Sequence, residues 1–138
     1  MNDNRFFFEV IQKRRNAANA SFCCGAASIH RRSALLQNIK QNLSEKTITR
    51  SADGEVTAFN NHVSEDIFTS IRLHADPKTN WRSVLHAEVV SQQMSPQDLL
   101  SRFIQLFKYS GGSLDIFINN RILTCKGLSL QQRLMYLS

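Results

Sequence analysis

Apolar side chains recur along the chain at two spacings, and the switch between them predicts the elements. From Arg5 to Ala20, Phe7, Ile11 and Ala18, followed by Phe22, keep helical spacing with Lys13, Arg14 and Arg15 to the side. An amphipathic helix is expected there, broken at Gly25. Between Ser28 and Ser44, Ile29, Leu36, Ile39 and Leu43 fall on one stripe, with Arg31, Arg32 and Lys40 outside it. This predicts a second helix that packs through the stripe.

The spacing then shortens to two. In KTITRSADGEVTAFN, Asp53-Gly54 suits a type I′ turn, which needs positive φ at both central residues. The resulting hairpin pairs Ile48 with Phe59 and Ser51 with Val56. VSEDIFTSIRLH next reads as a short helix, with Ser64 as cap, Glu65 and Asp66 at the positive end of its dipole, and Val63 stapled onto Phe68. A strand with Ile67, Thr69, Ile71 and Leu73 alternating is the alternative, and Asp76-Pro77 ends either one. VLHAEVVS, residues 84 to 91, alternates Leu85, Ala87 and Val89 against His86, Glu88 and Val90, and predicts a third strand.

QQMSPQDLLSRFIQLF carries a full set of helix-start signals: Ser95 as cap, Pro96 at the first position, Asp98 in capping-box position, and a Met94–Leu99 staple. Its apolar positions, Leu99, Leu100, Phe103, Ile104, Leu106 and Phe107, predict a core helix that Lys108 and Gly111-Gly112 terminate. After it, an Asn119-Asn120 turn pairs Phe117 with Ile122, Ile116 with Leu123, and Leu114 with Cys125 in a second hairpin. Ser129 and Gln132 then match a capping box ahead of a Leu130, Leu134, Leu137 stripe. The expected fold class is α+β: an antiparallel sheet of about five strands packed against helices, in the order α-β-β-(α)-β-α-β-β-α.

Composition narrows this picture. At 138 residues and 42% hydrophobic, the chain suits one core. No apolar run approaches the roughly 18 residues that span a bilayer, so no membrane span is expected. The net charge of +6 lies entirely in the first 50 residues, which carry nine Lys or Arg against three Asp or Glu. Residues 1–25 therefore read as a basic amphipathic arm, a targeting or secretion signal, and residues 26–138 as a single α+β domain. Lys13, Arg14, Arg15, Arg31 and Arg32 are the candidate contacts to an acidic partner or nucleic acid.

Catalytic signals are weak. Three cysteines, Cys23, Cys24 and Cys125, make no disulfide framework, and His30, His62, His74 and His86 stand at no metal-binding spacing. No catalytic residue, cofactor or metal is expected, and the chain reads as a non-enzyme. Met94-Ser95-Pro96 followed by Leu99 and Phe103 resembles the turn and second helix of AraC-type regulators. That gives the alternative reading, a nucleic-acid-binding transcriptional regulator with a helix-turn-helix-like segment at 84–107. Residues 95–107 offer only Arg102 as a cation, however, where a recognition helix needs several polar contacts.

From Ser28 onward the element order resembles the α/β fold of class I type III secretion chaperones and effector N-terminal domains. VLHAEVVSQQMSPQDLL is similar to the strand, turn and capped helix of the substrate-targeting domain of a bacterial tyrosine phosphatase effector. The resemblance implies a protein-binding module of a bacterial secretion system, a chaperone, adaptor, effector or regulator linked to virulence. It also implies a cytoplasmic protein or one secreted into a host cell. A protein partner or a homodimer is expected to add a strand to the 114–126 hairpin, through Ile116, Phe117, Ile118, Ile122 and Leu123.

Overall fold

The structure, a computed structural model, describes residues 3–44, 59, 62–86, 88–92, 94, 96–119 and 124–137. The chain opens as a continuous helical run: α1 (Asp3–Phe6), a π-helical segment (Phe7–Gln12) and α2 (Lys13–Ala17). Four further helices follow, α3 (Arg32–Ser44), α4 (Glu65–His74), α5 (Leu99–Asn119) and α6 (Leu130–Leu137). The first helix predicted from Phe7 and Ile11 is present. Its last turn ends at Ala17, with Asn19 at φ 54° reversing the chain.

The predicted sheet is absent from the described residues, where the single β-bridge joins Cys24 to Ala26. The α+β expectation is therefore corrected to a helical fold. The Asp53-Gly54 hairpin lies outside the described residues apart from Phe59. Two causes are visible among the described residues. Residues 84–86 and 88–92 run without strand pairing, and the backbone between Trp81 and Leu85 bonds amide side chains instead. Asn19 Nδ2 donates to the Trp81 carbonyl, while the Ser83 and Leu85 N–H groups donate to Asn19 Oδ1 and Asn16 Oδ1. β-rich composition makes a strand only where a second strand supplies the ladder.

The second cause is the pair of glycines. α5 passes straight through Gly111-Gly112 and continues to Asn119, so Leu114, Ile116 and Ile118 are helical and have no hairpin register. Gly112 is a crossing point, not a stop. A Cβ there would lie 2.1 Å from Ser64 Oγ, so its absence lets α5 approach the start of α4 closely. The α5 cap also moves: Asp98 Oδ1 accepts the Ser101 N–H at 2.7 Å, and the helix begins at Leu99. At α6 the capping box forms reciprocally, with Gln132 N–H donating to Ser129 Oγ and Ser129 N–H to Gln132 Oε1.

α3 packs on α4, and α2 on α6. The face α3 turns inward is not the predicted stripe: Ala34, Asn38 and Asn42 are buried, while Leu36 and Leu43 are exposed. Ile71, Ile116 and Leu128 form the apolar core, with Ile67, Phe68, Ala75, Cys125 and Tyr136 packed on it. Gly127, at φ 104°, holds the turn before α6 against α4. A Cβ there would meet the Ala75 carbonyl oxygen at 1.9 Å, so only glycine fits.

Candidate functional site

The densest polar cluster lies where residues 12–24 fold back onto the first two turns of α4. Gln12 closes the π segment and is fully buried. Its Nε2 donates to the Phe22 carbonyl at 3.2 Å and to Cys24 Sγ at 3.0 Å, and Ser21 Oγ donates to its Oε1 at 3.3 Å. Ser70 of α4 ties this loop to the helix. It accepts the Cys23 N–H at 3.3 Å and donates to the Asp66 carbonyl at 2.7 Å. Arg15 lies over the Phe22 ring, 4.9 Å from its centroid, and burial lowers its pKa.

Asp66 stands at the head of this cluster. It is half-buried, and one carboxylate oxygen accepts the Ile67 N–H at 2.8 Å. The other, Oδ2, faces Gly25, 3.8 Å from where a Cβ would stand. Burial pushes its pKa up against the hydrogen bond from Ile67, and neighbouring Glu65 adds to the rise. The Cys24 thiol, close enough to feel that carboxylate, is pushed up to about 11, chiefly by burial. It is therefore a neutral thiol at ordinary pH and a poor nucleophile. Burial thus disfavours the charged form of Asp66 while part of the carboxylate stays in contact with water.

A second buried relay sits at the other end of α4. His74 Nδ1 is 2.6 Å from Tyr136 Oη, and its Nε2 is 2.7 Å from Ser83 Oγ. Burial lowers the imidazole pKa to about 4 and raises that of the Tyr136 phenol. The ring is neutral, one nitrogen donating and the other accepting. Gln132 Nε2 completes the join by donating to the Asn19 carbonyl at 2.9 Å.

The sequence-predicted contacts are scattered by comparison. Ile116 is in the core at 1% exposure, Phe117 and Ile118 are exposed on α5, and Ile122 and Leu123 lie outside the described residues. No sheet edge unites them. Lys13 and Arg14 are exposed at α2, Arg31 and Arg32 are exposed at the start of α3, and Arg15 is turned inward. A helix-turn-helix over 84–107 is likewise absent, because the described residues ahead of Leu99 are not helical. Sequence reasoning noted Asp66 only as a dipole partner. Nothing in its local pattern reveals a shelter built from residues some 40 positions upstream.

Fold and site thus describe, over these residues, a helical unit with one sheltered carboxylate in a polar interior. The chain is 31% identical over 114 residues to probable mixed-linked glucan synthase 8 of Oryza sativa subsp. japonica, a match covering 76% of this chain and 12% of that protein. Putative mixed-linked glucan synthase 1 and mixed-linked glucan synthase 2 of the same plant are each 35% identical over 83 residues, covering 56% of this chain and 9% of theirs. The chain thus spans about a tenth of the length of these relatives. Each match covers more than half of the chain, so the aligned stretch includes its middle, and with it α4, wherever it starts. No family model and no solved structure matches. Similarity to plant synthases replaces the expectation of a virulence-linked bacterial secretion chaperone, adaptor or regulator.

Proposed function

We propose that this chain corresponds to a working segment of a mixed-linked glucan synthase, with Asp66 as its acid–base group. The observation that carries the reading is the 31% identity over 114 residues, which necessarily takes in α4. Building a glucan joins a sugar hydroxyl to the anomeric carbon of an activated sugar: the new C–O bond forms as the bond to the activating group breaks, that group departs with the electron pair, and the hydroxyl loses its proton to a base. A carboxylate partly shielded from water, with a raised pKa, is suited to accept that proton. Asp66 has that setting. Its second oxygen faces the backbone at Gly25. Gln12, Ser21 and Ser70 hold the loop that leads into Gly25.

A chimera tests this reading. The matched segment of the rice synthase is replaced by this chain, and mixed-linked glucan is measured in membranes from cells expressing it. Polymer formation is expected with the chain as given, and Asp66→Asn is expected to lower it by at least about 100-fold at equal protein level. Equal polymer from the Asp66→Asn chimera rejects Asp66 as the acid–base group. A chimera that accumulates normally but makes no polymer rejects the correspondence itself.

A further inference from the structure

At the far end of α4 from Asp66, cationic side chains gather around an open cleft. Arg72 is six residues beyond Asp66, roughly 9 Å along the helix axis. The cleft, of about 270 Å³, is walled by α3 at Gln41, by α4 and its exit at Arg72, Ala75 and Asp76, and by the turn before α6 at Cys125 and Lys126. Arg133 of α6 stands behind that turn. Its Nη2 donates to the Cys125 carbonyl at 3.0 Å and its Nε to the Leu128 carbonyl at 3.2 Å. Burial raises the pKa of the Cys125 thiol against the pull of Arg133 and Arg72, so both guanidinium charges are felt at this wall.

We infer that this cleft binds a phosphate group, carried by a small soluble ester or present as the free ion. Three cations, Arg72, Lys126 and Arg133, stand against one carboxylate, Asp76, an excess of two positive charges. That excess matches a phosphate monoester, which carries about −1.5 to −2 at neutral pH, better than it matches a single carboxylate. Asp76 is already engaged. Its oxygens accept the Thr79 hydroxyl at 2.7 Å, the Lys78 N–H at 2.9 Å and the Gln37 amide. The Thr79 and Lys78 bonds hold its pKa below the usual aspartate value. Among the described residues, no carboxylate lies within ion-pair distance of Lys126. The end of α4 would repel an anion if its carbonyls were bare. Gly127 covers the Ala75 carbonyl, so closely that a Cβ there would stand 1.9 Å from the oxygen. A planar guanidinium with an ammonium group beside it suits the several oxygens of a phosphate, and the Gln41 amide adds a neutral donor. This inference is independent of the glucan reading, since neither Asp66 nor its loop lines the cleft.

The test follows alkylation of Cys125 in the full chain, read by mass spectrometry of its peptide in mildly alkaline buffer at fixed ionic strength. Cys23 and Cys24 are internal controls. Millimolar inorganic phosphate should slow the reaction at Cys125 at least about threefold and leave Cys23 unchanged. Lys126→Gln should weaken the binding about threefold, and Arg72→Gln at least about tenfold. Lys126 is exposed, so circular dichroism of its variant should match the parent, and that variant carries the test if Arg72→Gln does not fold. Protection by β-glycerophosphate supports an esterified ligand, and protection by inorganic phosphate alone supports the free ion. Malonate that protects where neither phosphate does assigns the cleft to carboxylates and overturns the inference. Protection no greater than that from sodium chloride, or unchanged in both variants, overturns it as well.

Discussion

His74 contributes to stability only as a neutral ring. Its pKa is lowered from 6.5 to about 4 by burial between Tyr136 and Ser83. Because the unfolded chain binds the proton more readily, the contribution is fully present above the unfolded value and is lost as pH falls from 6.5 toward 4. The size is roughly 3 kcal/mol. Urea midpoints should therefore drop steeply between about pH 7 and about pH 4.5, and His74→Asn should flatten that slope. An unchanged slope in the variant sinks this account. Asp66 acts in the opposite sense: its raised pKa adds stability below the ordinary aspartate range, and this is lost as pH rises through the folded value. Neither residue announces its role in the sequence. His74 is one of four scattered histidines, and its partners stand 9 and 62 positions away.

At the scale of the elements, Gly111 and Gly112 differ although they are neighbours in one helix. A Cβ at Gly111 meets nothing within 4 Å, and its backbone is helical. Gly111→Ala should stabilise the protein by about 0.5–1 kcal/mol, by restricting the unfolded chain. Gly112→Ala forces a Cβ onto Ser64, whose own Cβ is 3.2 Å away and which is itself buried. It should cost about 1–3 kcal/mol. Denaturant titration of the two variants separates them by sign, and equal effects contradict the crossing contact. The same pair explains where the sequence was legible. Helix starts are local chemistry, so the α6 capping box and the acidic first turn of α4 are readable. The double glycine carries the local signal of a stop, and its actual role depends on Ser64, 48 positions earlier. Alternation in 84–91 and 114–118 likewise reads as strand until the absence of a pairing partner is known.

For the whole molecule, the inward and outward faces reverse what the apolar pattern implies. Asn38 and Asn42 face inward where Leu36 and Leu43 were expected, and α5 turns Phe103 and Phe107 to the outside. An apolar stripe identifies a helix but not which medium covers the stripe. The positions of the helices were thus partly readable, while their orientation was not. The carboxylate site was not readable either, because its loop is tied down by contacts such as Cys23 to Ser70, 47 residues apart. The comparison with synthases supplies what periodicity lacks, since the 31% identity over 114 residues does not depend on apolar spacing.

A polar interior also fixes how stability responds to temperature. Heat capacity of unfolding rises with newly exposed apolar area and falls with newly exposed polar area. Here Gln12, Asn38, Asn42, Thr69, Ser70 and Gln132 are among the buried groups, while the α5 side chains are already in water before unfolding begins. Calorimetry of the free chain should return an increment clearly below the usual 12–15 cal/mol/K per residue, about half of it or less. A value in the usual range contradicts the inverted interior. With a small increment the free-energy curve is shallow, so the protein should keep nearly constant stability across the cold range and melt over a broad interval.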